Sequence, residues 1–311
     1  VANCLDRREE MNRLVPPTCA VLILAMAASG CQPDTLPDLG EIVTRSTDGM
    51  VMVYVPAGEF EMGSDDAEVD DALEACNTYY EGECLREWFE VEQPVHTVAL
   101  DGFWIDRTEV TNGQYLQCEE AGVCTPPVSF SSDTRSTYYG DEAYVDYPVV
   151  NVTWEQAQTY CQWVGGWLPT EAEWEYASRG PEGWRYPWGD EYDGELLNSC
   201  DANCGYSWAE IQFDDGYGDT APVGSYPEGA SWCGALDLAG NVWEWTAERF
   251  GEYSGERQEN PSGPSYGTDR TVRGDSADGT RSVSRSAARH GLAETRTYVY
   301  TGFRCVRPSA P

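Results

Sequence analysis

The sequence predicts a chain of mixed short strands and helices joined by long ordered loops, on three observations. The stretch MVMVYVPAGEFEMGS, from Met50, alternates in the manner of strands and is broken at Gly58 and Gly63. Three helix starts carry capping-box spacing, Thr111 with Gln114, Thr153 with Gln156 and Thr170 with Glu173, and each run ends near a glycine, Gly122, Gly165 and Gly180. From Arg185 to Asp237 the chain is rich in glycine, aspartate and aromatics with little helical period. Loops of that length in a compact domain need a staple or an ion.

The N-terminus is of a different kind. Residues 1–10 read as an upstream extension, and Met11-Asn-Arg13 followed by the apolar run 21–28 reads as the charged and hydrophobic regions of a signal peptide, too short to span a membrane as a helix. Ala28-Ser29-Gly30-Cys31 resembles a bacterial lipobox, so residues 1–30 are expected to be removed and Cys31 lipidated. Gln32 after it favours the outer membrane. Residues 31–47 read as a tether and the folded part is expected over 48–308, with an acidic insertion at 65–92.

With 311 residues, 41% hydrophobic and 12% aromatic, the chain can bury one large core or two modest ones. Its net charge of -35 argues against nucleic acid and against attraction to an anionic membrane, leaving a lipid anchor as the membrane contact. All basic residues are arginine. Residues 270–311 hold eight of them against Asp275, Asp278 and Glu294, a basic segment on an acidic body. Its expected use is structural ion pairing, with Arg289 and Arg304 foremost, and the sharper alternative is recognition of an anionic ligand.

Twelve cysteines suit an oxidising compartment. Cys76 and Cys84 read as a local disulfide that staples the insertion, a metal site being the alternative, and Cys118 and Cys124 bracket a helix end and pair with each other. Cys161 falls on the buried face of the second helix with Trp154, Ala157 and Val164. Cys200 and Cys204 offer a further staple, and pairing there leaves Cys233 free. Only two histidines occur, which excludes a three-histidine metal site.

The stretch LDLAGNVWEWT, Leu236 to Thr246, sets Glu244 among large apolar groups. A carboxylate there needs a partner, either an arginine or a metal ion. Asp237, Gly240, Val242 and Glu244 form an all-oxygen set suited to calcium.

YPVVNVTWEQAQTYCQWVGGWLPTEAEWEYASRG, RYPWGDE, DDGYGDTAPVGSYP, GALDLAGNVWEWTAE, TVRGDS and TGFRCVR, in this order, resemble the formylglycine-generating enzyme family of sulfatase-modifying factors. The resemblance implies one α+β domain of that family's C-type-lectin-like fold, with little regular structure and long ordered loops. It implies two structural calcium sites. One falls on the Asn198 side chain, the Ser199 carbonyl, the Asp215 side chain and the Tyr217 carbonyl; the other falls on Asp237, Gly240, Val242 and Glu244. It also implies a Cys161–Cys305 disulfide.

The catalytic block departs from the family. After Arg273-Gly the family's second glycine is Asp275, and Gly279 and Ser284 occupy the places of the two cysteines that bind copper(I) and oxidise a substrate cysteine. Copper chemistry is therefore not expected, and no residue is assigned as catalytic. The candidates for a ligand groove are Ser276, Arg281, Arg285 and His290, with Arg281 the expected exposed contact. The leading reading is a monomeric envelope protein that binds a peptide, protein or glycan. The alternative is a protein-modifying oxidoreductase, of formylglycine type or cysteine-independent, since some periplasmic relatives in siderophore maturation also lack the pair. A purely structural lipoprotein is the third.

Overall fold

The computed structural model describes residues 37–80 and 82–309. The stretch expected to be a signal peptide and Cys31, the expected lipidation site, lie outside the described residues.

Three small sheets carry the fold. Strands β1 (Ile42–Thr44), β2 (Val51–Val55), β5 (Phe103–Asp106) and β11 (Val306–Pro308) form an antiparallel sheet in that order. Strands β3 (Gly58–Met62), β4 (His96–Leu100) and β7 (Gln258–Glu259) form the second. The third has the order β10 (Thr301–Gly302), β6 (Trp243–Arg249), β8 (Asp269–Arg273), β9 (Arg289–Ala293). The first sheet brings the first and last described strands together, because β1 lies beside β2, β2 beside β5 and β5 beside β11.

Helix α1 (Asp66–Tyr79) and the short α2 (Glu87–Glu90) precede β4, and α3 (Asn112–Glu120), α4 (Trp154–Trp163) and α5 (Glu171–Arg179) follow β5. The caps of α3, α4 and α5 are Thr111, Thr153 and Thr170, each with both arms of the capping box closed. Each such box satisfies two backbone N–H groups that the helix start otherwise leaves bare.

Two expectations shift. Residues 42–44, expected within the tether, form a strand, because Ile42–Thr44 pairs with Val51–Val53. Arg45, placed in the tether, is buried between Asp48 and Asp106, 2.7 Å from each. The acidic stretch 65–92 is largely helical. Asp65 caps α1 with Glu68 closing the box, and Val69, Ala72 and Cys76 pack with Phe89.

The main core gathers Met52, Tyr115, Tyr160, Leu168, Trp245 and Phe303. A second cluster of Val55, Phe60, Ile105, Trp174 and Leu238 lies under α5. Cys161 of α4 bonds to Cys305 beside β11, and Cys76–Cys84, Cys118–Cys124 and Cys200–Cys204 close local loops. Among the described residues Cys233 is a free, buried thiol, and burial pushes its pKa up.

The basic segment is threaded through the acidic body. Arg273, with no exposed surface, meets Glu171 at 2.8 Å and Glu175 at 2.6 Å on α5. Arg289 grips both oxygens of Glu171 at 2.6 and 3.0 Å, and Arg285 grips Glu92 at 2.7 and 2.8 Å. A buried arginine without such a partner would cost several kcal/mol, so these pairs fix the path of residues 273–289 against α5 and the segment that follows α2.

Candidate functional site

The loop from Asp237 to Glu244 turns through left-handed backbone at Asp237, Gly240 and Asn241, φ 57°, 78° and 61°. Only glycine fits at 240, since a Cβ there would collide with the Asn198 backbone. The Asn241 N–H donates to the Asn198 carbonyl at 2.9 Å, which ties this loop to the 198–219 loop.

Glu244 then leaves on β6 into the core. Arg304 donates to Oε1 at 2.6 Å and to Oε2 at 2.7 Å, and Trp174 Nε1 donates to Oε2 at 2.9 Å. Burial alone would lower the Arg304 pKa, but Glu244, Glu109 and Asp237 hold it far above its usual range. Of the two partners the sequence left open for Glu244, the structure has the arginine. Both Glu244 oxygens thus accept hydrogen bonds, and Oε1, which accepts one, keeps a lone pair beyond it. Asp237 Oδ2 accepts from the Gly224 N–H at 2.6 Å, and Gly240 and Val242 have only backbone carbonyls to offer. Burial raises the carboxyl pKa of Asp237, and burial followed by the Asp237 charge raises that of Glu109 well above the usual range. Glu109, beside Asp237, has a buried Oε2 without a partner, an oxygen that a calcium ion held by this loop would find beside the expected set.

The first set offers donors of the same kind. Asn198 Oδ1 is buried without a hydrogen-bond partner, and its amide nitrogen donates to Asp219 O and Asn241 Oδ1 at 3.0 and 3.2 Å, which holds that oxygen fixed. Asp215 accepts from the Ser199 and Tyr217 N–H groups at 2.9 and 2.8 Å. Burial, followed by the neighbouring Asp201 charge, pushes the Asp215 carboxyl up to about 7. An orphaned oxygen on Asn198 and a carboxyl that resists ionising, tied to the next residue through the Ser199 N–H, suit a hard cation, which these side chains and the Ser199 and Tyr217 carbonyls would hold. Its contribution there would be to fix the two loops. Among the described residues no three His, Cys, Asp or Glu side chains converge as a metal-binding group, so carbonyl oxygens would carry much of the coordination.

The segment that stands in place of the cysteine pair is closed. Asp275, at φ 69°, turns its carboxylate into the space that a side chain at 279 would need, so Gly279 is the residue that fits. Ser284, buried, donates to Asp275 Oδ2 at 2.7 Å. Burial raises the Asp275 pKa well above the carboxylate range, against the pull of the Ser284 hydroxyl. Trp208 covers the turn, its Nε1 donating to the Asp278 carbonyl at 2.8 Å, and Tyr80 stacks on Trp208 at 5.5 Å.

The four groove candidates do not share one surface. Ser276 is buried and donates to Asp278 Oδ1 at 2.6 Å, and Arg285 is held by Glu92; neither faces a ligand, because each already has an internal partner. Arg281 is half-buried in a separate cleft with Asp71, Glu74, Asp190 and Glu191, and forms no ion pair among the described residues. Its backbone N–H donates to Glu210 at 2.8 Å.

Of the four, His290 alone lines the cavities beside Trp243. With Trp243, 6.3 Å away between ring centroids, it lines both a cavity of about 460 Å³ and a smaller one of about 220 Å³. Partial desolvation by the groove walls lowers the His290 pKa, opposed by Asp269. The larger cavity is walled by Tyr80, Trp88 and Phe89 of the 65–92 stretch on one side and by Trp243, Phe250 and His290 on the other. Sequence reasoning missed Trp88 and Phe89, although two aromatics between Glu87 and Glu90 in an otherwise acidic run are a signal of burial against something.

The sulfatase-modifying factor enzyme 1-like domain matches residues 39–309. The formylglycine-generating enzyme of Streptomyces coelicolor is 33% identical over 303 residues, covering 84% of this chain and 90% of that protein. The hercynine oxygenase of Mycolicibacterium thermoresistibile is 32% identical over 251 residues, covering 68% of this chain and 52% of that protein. The structure of PvdO from Pseudomonas aeruginosa superposes with a TM-score of 0.67 at 26% identity, covering 88% of this chain and 99% of that one. The fold is accordingly the α+β, C-type-lectin-like fold of formylglycine-generating enzymes, and the chain belongs to the family of sulfatase-modifying factor enzyme 1-like domains.

Proposed function

We propose that this member of the family is a binding protein of the bacterial envelope, without copper/cysteine oxidase chemistry, that takes a peptide, protein or glycan partner in the groove beside Trp243 and His290. The observation that carries the reading is Asp275. Its carboxylate fills the space beside Gly279 and accepts from Ser284, the two positions at which the family's cysteines would stand. A soft copper(I) ion needs thiolates, and no cysteine occurs between Cys233 and Cys305. Cys31, by the lipobox resemblance, would anchor the protein to the outer membrane.

The test is to incubate the protein with a Cys-x-Pro-x-Arg peptide, copper and oxygen. Mass spectrometry is expected to show no formylglycine, and copper- and oxygen-dependent product would overturn the reading. The same turn makes a second expectation. Gly279→Cys with Ser284→Cys should not create a copper site, because the new side chain at 279 meets Asp275; only the triple variant that adds Asp275→Gly has room for both thiols. An oxidoreductase without the cysteines has support in the likeness to hercynine oxygenase, and oxygen consumption with bound partner present would favour it.

A further inference from the structure

We infer that the larger cavity binds the cationic side chain of an arginine- or lysine-bearing peptide, a proposal that rests on the binding-protein reading and names its ligand class. Three observations support it.

The walls are aromatic faces. Trp88 on α2 is 52% exposed, and Trp243 and Phe250 are part-exposed across the cavity. A guanidinium or ammonium over such faces is attracted by the ring quadrupole, most strongly over tryptophan.

The charges left over are negative. The one arginine in the lining, Arg289, already holds Glu171 through two nitrogens and the Val91 and Gly251 carbonyls through the third, at 2.8 and 2.9 Å. Glu92 is matched by Arg285. Glu87 and Asp269 line the cavity with no ion-pair partner among the described residues. His290, with its pKa lowered, adds no positive charge at neutral pH. An anionic ligand would therefore meet two bare carboxylates and no free cation, whereas a cation meets complementary charge within a body of net charge -35.

The wall is built to stay in place. Trp88 and Phe89 belong to the stretch read from the sequence as an insertion, which the Cys76–Cys84 disulfide closes and which packs on Phe89. Arg86 on the outer side bridges Asp66, Asp70 and Glu90 and so ties α2 to α1. A preformed pocket loses little freedom when it binds.

The experiment uses the purified protein and fluorescein-labelled pentapeptides that carry one central arginine, lysine, norleucine or glutamate between glycines. Fluorescence anisotropy is read at low and at physiological salt. The arginine and lysine peptides should bind, more weakly as salt rises, and the glutamate peptide should not. Trp88→Ala and Asp269→Asn, both on part-exposed positions, should each weaken binding about tenfold, on the scale of one desolvated cation–π or charge contact, and Glu256→Gln on a distant exposed loop should leave it unchanged. Equal binding of the norleucine peptide, preference for glutamate, or binding only of a neutral oligosaccharide included as a competitor would overturn the proposal. Peptide binding indifferent to both Trp88 and Asp269 would overturn this cavity assignment and leave the binding-protein reading standing. Conversion of a cysteine peptide to formylglycine would remove that reading whatever the anisotropy shows.

Discussion

Lowering the pH should release calcium from the Asn198–Asp215 loop, and the size of the effect follows from one carboxyl group. The Asp215 carboxyl is pushed up to about 7 by burial and by Asp201. An aspartate in the unfolded chain titrates near 4. The folded value is thus the raised one, and in the ion-free protein this group's contribution to stability is fully present below about 4 and lost as pH rises through about 7. A calcium ligand must be ionised, so protons and calcium compete for the same carboxylate. One competing proton at that value weakens apparent affinity by about 90-fold between pH 8 and pH 5, roughly tenfold per unit in the acidic part of the range. Calcium should therefore raise the melting temperature most at pH 8, where the empty loop is least stable, and little at pH 5. Calorimetric titration and thermal unfolding, each with calcium and with chelator, measure both quantities. Asp215→Asn should weaken binding and flatten its pH dependence, and Asn198→Ala should weaken it while leaving the pH dependence in place. Equal calcium shifts at pH 5 and pH 8, or none at either, would refute the reasoning.

Two further outcomes concern stability. Arg304→Met should lower the unfolding free energy at pH 8 by about 3–5 kcal/mol, since it strands the Glu244 carboxylate in the core. Adding Glu244→Gln should recover part of that loss, as read by denaturant titration of the single and double variants. Replacing both Cys161 and Cys305 by alanine opens a loop with a sequence separation of 144. In the chain-entropy model this costs about 5 kcal/mol, which the midpoint of urea unfolding relative to the parent protein should show.

What the sequence made legible was local. The capping boxes at Thr111, Thr153 and Thr170 place their helices because cap and N3 residue are three apart and need no distant partner. The short disulfides are legible for the same reason. Helix α1 was missed although Asp65 and Glu68 repeat the same spacing, because the charge run around them reads as solvated loop; its apolar side is only Val69, Ala72 and Cys76. Strand β1 is three residues long and earns its place only by pairing with β2, which no period in residues 42–44 announces.

The site was less legible because its partners are far apart in sequence. Glu244 meets Arg304 across 60 residues and Glu92 meets Arg285 across 193. Nothing within either local stretch chooses between a metal and a guanidinium, or between a free and a matched arginine. Charge balance narrows the choice. A segment with eight arginines running through a body of net charge -35 finds acids wherever it is buried, and Arg273, Arg285, Arg289 and Arg304 all do. Arginines matched in this way have little left to offer an anionic ligand, so the basic character of residues 270–311 does not reach the groove they help to line. The surface beside Trp243 and His290 keeps the sign of the whole chain, and that is why the ligand inferred for it is a cation, while the basic segment itself serves to hold β8 and β9 against α5 and, through Arg304, to hold the stretch after β10 against Glu244 of β6.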